Sequence, residues 1–183
     1  MTAIVTLAAA VLMALYGGGW PVMVAATVVV AAVAGTTFPD LDQLLPIGHR
    51  SALTHGILPV LALAGFDRRL WPVAAGLGLG LGLHLAADLF PNGMRGYATI
   101  KLPLFGSIGR GGSYLWIAAN AGLCLAGGAW LLGQVAAPRV AGATLVAVGV
   151  LGVAYLLRTD GGWWALLLFA GLGWLALRWA EVH

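Results

Sequence analysis

Seven apolar stretches, at about 2–16, 20–38, 54–66, 70–90, 113–133, 139–157 and 162–180, take up most of the chain. A helix needs about 20 residues to cross the hydrocarbon of a bilayer, within a range of about 17–25. The second, fourth, fifth, sixth and seventh stretches reach or approach that length, while the first and third are short. Only 8% of the 183 residues are charged and 61% are apolar, whereas soluble domains carry about 25% charged residues. So little charge cannot clothe a water-facing surface, but it suits contact with lipid. The expected fold is all-α, a polytopic transmembrane helical bundle of about six or seven spans. A single integral membrane domain is expected over residues 1–183, with the C-terminal helices at about 113–180.

Local signals place the breaks. Pro21, Pro72 and Pro138 stand where a first helical turn is expected, because the N–H that proline lacks has no partner there. Pro39 and Pro91 stand where helices should stop. Gly17, Gly18 and Gly19 form a tight turn between the first two spans. The first 16 residues lack a basic leader and a small-residue cleavage site, and read as a retained first helix. The longest polar segment, Pro91 to Ser113, carries Arg95, Lys101 and Arg110 and reads as a loop lying on the bundle or dipping into it. The net charge of +3 is spread out, and no Lys/Arg run suggests nucleic acid as a partner. The single cysteine, Cys124, rules out a disulfide framework and a Cys-rich zinc site.

The acids and histidines are not scattered. Asp40 and Asp42 form Pro-Asp-Leu-Asp at the end of the second stretch; His49, Arg50 and His55 lead into the third; His84 and Asp88 stand near the end of the fourth. If each span crosses, these three segments arrive at one membrane face. His84 and Asp88, four apart, share a helix face with Gly76 and Gly80, and a stripe of small residues lets a neighbouring helix come close. The polar pair should therefore face the bundle. Imidazole and carboxylate together suit Zn²⁺, and carboxylate-rich sites also take Mn²⁺ or Mg²⁺, so a divalent metal is the expected cofactor. Ionisable groups at membrane depth are costly and usually functional.

Each residue also has a blander reading. Asp40 and Asp42 suit a helix end and turn, with Asp42 the more ambiguous. His49 suits a loop, and Arg50 a cation snorkelling to the interface. His55 or Thr54 suits the cap of the third helix, though the Thr54 hydroxyl could instead orient a ligand. His84 with Asp88 suits a hydrogen-bonded tie between helices, as does Asn120. Lys101 reads as an interfacial cation. Arg50, with Arg95 or Arg110, is also suited to gripping phosphate oxygens, which arginine does bidentately.

Pro-Asp-x-Asp, His-Arg-x3-Thr-His and His-x3-Asp followed by a Gly/Pro-containing loop resemble, in order and spacing, the LexA-regulated bacterial inner-membrane metal-dependent hydrolases. The resemblance covers about residues 35–120. The His-x3-Asp element also resembles, more distantly, that of zinc-dependent phospholipases C. The family pattern often has Ser after the second His, where this chain has Gly56. The resemblance implies a membrane-embedded hydrolase with metal ligands Asp40, His55, His84 and Asp88, and with His49 and Asp42 as further candidate ligands.

The expected chemistry is metal-assisted hydrolysis of an amphiphilic ester, a phospholipid or lipid-linked phosphate. Asp42, His49 and Arg50 would be catalytic, Arg95 and Arg110 substrate-binding, and membrane lipid both surroundings and substrate. Two alternatives stay open: a metal-binding or transporting protein without hydrolysis, and a polar cluster serving only as helix glue. By counting crossings, Arg50, Arg95, Lys101, Arg110 and Arg158 fall on the site side and Arg68, Arg69, Arg139 and Arg178 opposite. That balance barely orients the chain. The compact Arg68-Arg69 turn favours a cytoplasmic position for itself and an extracytoplasmic site.

Overall fold

The computed structural model describes residues 2–43, 49–91 and 93–182. Over these it is an all-α bundle of α1 (Thr2–Tyr16), α2 (Pro21–Thr37), α3 (Leu58–Phe66), α4 (Trp71–Asp88), α5 (Gly109–Val135), α6 (Pro138–Leu156) and α7 (Gly162–Val182). Short 3₁₀ turns stand at Pro39–Gln43, Arg68–Leu70 and Gly96–Ala98. One small hairpin pairs β1 (Lys101–Leu102) with β2 (Gly106–Ser107), antiparallel. Four helical segments are long and apolar enough to cross a membrane: Arg68–Asp88, Gly109–Val135, Pro138–Leu156 and Gly162–Glu181. This is a helical membrane protein.

The prolines act as the sequence suggests. Pro21, Pro72 and Pro138 each lie at the first or second position of a helix. The third stretch departs from expectation. Only Leu58–Phe66 is helical, nine residues or about 14 Å, while residues 49–57 fold into compact turns. Neither Thr54 nor His55 caps α3. Its N-cap position is Ile57, whose N–H donates to Asn120 Oδ1 of α5 at 2.9 Å. At the other end, Asp67 accepts from Arg69 N at 2.8 Å and pairs with its guanidinium, fixing the turn into α4. The hydrogen bond from the Arg69 side chain holds the Asp67 carboxyl below the usual carboxylate range.

α4 is the centre of the bundle, enclosed between α2 and α5. Glycine makes this possible. A Cβ at Gly76 would collide with the Val28 carbonyl of α2, and one at Gly80 with the Ala32 carbonyl. On the opposite side, Gly78 faces the Cys124 carbonyl and Gly82 the Leu125 side chain of α5. Two small-residue stripes therefore let two helices close on one. The stripe Gly76, Gly80, His84, Asp88 runs along the α2 side and carries the polar pair into the bundle. α7 contributes little to the core. Leu167, Leu172, Trp174, Leu175 and Leu177 are exposed, as befits a helix facing lipid.

Candidate metal centre

Three described side chains bring ligand atoms within 4.8 Å of one another: His55, His84 and Asp88. His84 and Asp88 come from the last turn of α4, and His55 from the compact turn before α3. Asp88 Oδ2 lies 3.6 Å from His55 Nε2 and 3.5 Å from His84 Nε2. It is buried and has no hydrogen-bond partner among the described residues. A buried carboxylate oxygen left without a partner is costly. Here it faces two imidazole nitrogens across a gap too long for hydrogen bonds.

The other side of each ring sets which nitrogen carries the proton. His84 Nδ1 donates to the Thr36 carbonyl of α2 at 2.9 Å, and the Tyr155 hydroxyl oxygen of α6 lies 3.0 Å from the same nitrogen. A carbonyl can only accept, so Nδ1 carries a proton, and in the neutral ring the lone pair is then on Nε2. His55 Nδ1 lies 3.3 Å from Asp42 Oδ2 and 3.1 Å from Thr54 Oγ1. The Asp42 carboxylate likewise draws the proton to Nδ1. Two Nε2 lone pairs and one carboxylate oxygen therefore converge. Metal-binding histidines typically give their second N–H to a carboxylate or carbonyl, which fixes the ring and raises its basicity. A nitrogen, nitrogen, oxygen donor set suits zinc, so these residues fit a divalent cation.

The carboxylate at Asp42 is fully enclosed. Its Oδ2 accepts from Ser51 N at 3.1 Å and from Thr54 Oγ1 at 3.4 Å, and its Oδ1 lies 3.4 Å from His49 Nδ1. Asp42 and His49 thus stand behind His55, with the enclosed Asp42 carboxylate against the Nδ1 side of the ring. Asp40, two residues earlier in the same 3₁₀ turn, points outward and is exposed. It lies outside the group of three, although its charge still reaches His84 and Tyr155.

Arg50 is almost buried, at 9% exposure. Its Nη2 donates to Asp88 Oδ1 at 2.6 Å and its Nη1 to the Ala98 carbonyl at 2.7 Å. Its φ of 56° is left-handed, uncommon for a residue with a side chain. The conformation is held from both sides: Lys101 N donates to the Arg50 carbonyl at 3.0 Å and Ala52 N to the Lys101 carbonyl at 2.9 Å. Lys101 Nζ donates to the His49 carbonyl at 2.8 Å. The 93–108 segment is thus fastened onto residues 49–52. Lys101, read from the sequence as an interfacial cation, serves as a fastener. Arg95 and Arg110 are exposed and line a separate cavity with Pro91, Gly93, Met94 and Tyr114. Asn120 and Trp116 support the turn from below: Trp116 Nε1 donates to the His55 carbonyl at 2.7 Å.

Sequence reasoning missed Tyr155 and the Thr36 carbonyl. A lone tyrosine in an apolar helix and a backbone oxygen carry no spacing signal. The fold and the cluster define a class: a helical membrane protein with a buried two-histidine, one-aspartate centre of metal-ligand type. No protein-family model matches the chain, and neither a curated protein nor a solved structure is similar to it.

Proposed function

We propose that this protein is a membrane-embedded, metal-dependent hydrolase that cleaves an amphiphilic ester, a phospholipid or lipid-linked phosphate. The observation that carries the reading is the unpartnered Asp88 oxygen facing two Nε2 lone pairs. His55, His84 and Asp88 would hold the cation, with zinc the best fit and manganese or magnesium accepted by the same donors. Such a cation acts as a Lewis acid and brings the pKa of a bound water towards neutrality.

The chain's own residues supply the rest. Asp42 and the Thr36 carbonyl fix the two rings. Arg50 holds Asp88 in place and neutralises its charge. Asp40, exposed and within electrostatic reach of His84, would accept a proton. A centre near one end of the bundle suits a substrate whose head group lies at the interface while its chains stay in lipid.

We propose a location as well. Arg50 and Lys101 are committed to internal partners, so they no longer count as topology reporters. That leaves Arg95, Arg110 and Arg158 on the site side against Arg68, Arg69, Arg139 and Arg178 opposite. The remaining bias favours a site outside the cytoplasm, and the bacterial inner membrane is what the resemblance to the LexA-regulated hydrolases implies.

The test is turnover. Wild type and His84→Ala, reconstituted with zinc, are offered phospholipids, and released head group or fatty acid is measured. Metal-dependent release by wild type alone is expected. If fully loaded wild type cleaves no lipid ester, the hydrolase reading fails, and metal flux in liposomes without cleavage would make the protein a carrier.

A further inference from the structure

The loop that fastens onto Arg50 has two features that the metal centre does not use. One is the cavity of about 470 Å³ lined by Pro91, Gly93, Met94, Arg95, Arg110 and Tyr114. Its arginines come from two elements, the extended segment after α4 and the first turn of α5. Neither guanidinium has an ion-pair partner among the described residues, and no carboxylate lines the cavity. Met94 joins it to the centre, because its sulfur lies 3.7 Å from Arg50 Nη1. Two arginines without an ion-pair partner among the described residues, one of them at the start of a long helix, favour an anion with several oxygens.

The other feature is the hairpin tip. Between β1 and β2 stand Pro103, Leu104 and Phe105, with Leu104 at 102% exposure and Phe105 at 84%. Leu104 also has a φ of 70°. That conformation normally goes to glycine or asparagine. A leucine there, fully exposed and backed by an exposed phenylalanine, is unfavourable in water on both counts. In the acyl region of a membrane its exposure costs nothing. Leu115, the residue after the cavity-lining Tyr114 on α5, is also exposed.

We propose that the cavity and the hairpin tip together form a receptor for an anionic phospholipid, with the phosphate between Arg95 and Arg110 and the tip of residues 103–105 inserted among the acyl chains. As the substrate-binding site this rests on the hydrolase reading. As a binding site it is measurable without turnover.

The experiment is native mass spectrometry of the purified protein with dioleoylphosphatidylglycerol, dioleoylphosphatidylcholine and the soluble diester glycerophosphoglycerol. Wild type should bind the anionic lipid about tenfold or more tightly than the zwitterionic one, because the two share the phosphate but only the latter brings a choline cation against the two arginines. Arg95→Ala/Arg110→Ala should abolish that preference, and Leu104→Ser/Phe105→Ser should weaken both lipids without changing the weak binding of the soluble diester. Arg178→Ala, distant on α7, should change nothing. The proposal is overturned if the folded double-arginine variant keeps the preference. It is also overturned if the soluble diester binds as tightly as the lipid, which would assign the cavity to a soluble phosphate. His84→Ala/Asp88→Ala separates the two readings: anionic-lipid binding retained there, with no cleavage by loaded wild type, would leave the receptor standing and remove the hydrolase.

Discussion

Replacing Asp42 with alanine removes no expected metal ligand, yet it should loosen the centre. In the folded protein the Asp42 carboxylate faces His55 Nδ1 at 3.3 Å and accepts from Ser51 N at 3.1 Å and Thr54 Oγ1 at 3.4 Å. All of these groups are buried, so alanine leaves the Ser51 N–H without its acceptor and the imidazole N–H with the Thr54 hydroxyl alone. Each unsatisfied buried donor costs about 1–3 kcal/mol. The Ser51 share falls on stability with or without metal. The His55 share falls on the metal, because a free ring turns and the competing tautomer hides the Nε2 lone pair. Partners of this kind are worth about 10–100-fold in metal affinity, or about 1.4–2.7 kcal/mol. Asp42→Asn, which keeps one acceptor oxygen, should fall between wild type and alanine. The assay is competition for zinc against a chromophoric chelator in detergent, beside a thermal melt. Wild-type affinity in a folded Asp42→Ala would refute the role given to Asp42, and wild-type affinity in His55→Ala as well would remove His55 from the centre.

Asp88→Asn should cost stability as well as metal, because Arg50 Nη2 at 2.6 Å loses its charged partner; breaking a buried pair costs about 3–5 kcal/mol, read as a lower Tm. His84→Ala leaves that pair intact and should lose metal with a smaller drop in Tm, so equal melting points for the two variants would argue against the pair. Gly80→Ala drives a Cβ into the Ala32 backbone of α2, an overpacking of about 1–3 kcal/mol. It should also weaken metal binding by moving the Thr36 carbonyl from His84, whereas Gly171→Ala, with open space around it, should do neither.

The helices were legible because apolar runs broken by proline leave few alternatives, and α1, α2, α4, α6 and α7 fall within a few residues of the stretches that predict them. α5 begins at Gly109, ahead of the predicted start at 113, because Gly-Arg-Gly-Gly reads as loop when its packing is unknown. α3 is short because the chain spends residues 49–57 on the turn that presents His55. Within the site, the four-residue spacing of His84 and Asp88 was enough to aim both into the bundle. From the sequence Asp40 reads as a ligand and Asp42 as catalytic, but a single 3₁₀ turn sends Asp40 outward and Asp42 inward against Ser51 and Thr54, which spacing alone does not reveal. Asn120 was readable as a tie between helices, and it is one. The resemblance to the LexA-regulated hydrolases rests on the motifs alone, and the substrate remains a proposal built on them.

The central claim is that His55, His84 and Asp88 hold one divalent cation, and elemental analysis tests it most directly. Protein purified in detergent is stripped with chelator, reloaded with zinc, freed of excess metal and measured beside His84→Ala/Asp88→Ala, with circular dichroism to establish that both are folded. The account predicts one zinc per chain in wild type and none in the variant. No zinc taken up by folded wild type, or the same amount held by both, would contradict it and leave the cluster as a polar tie between helices.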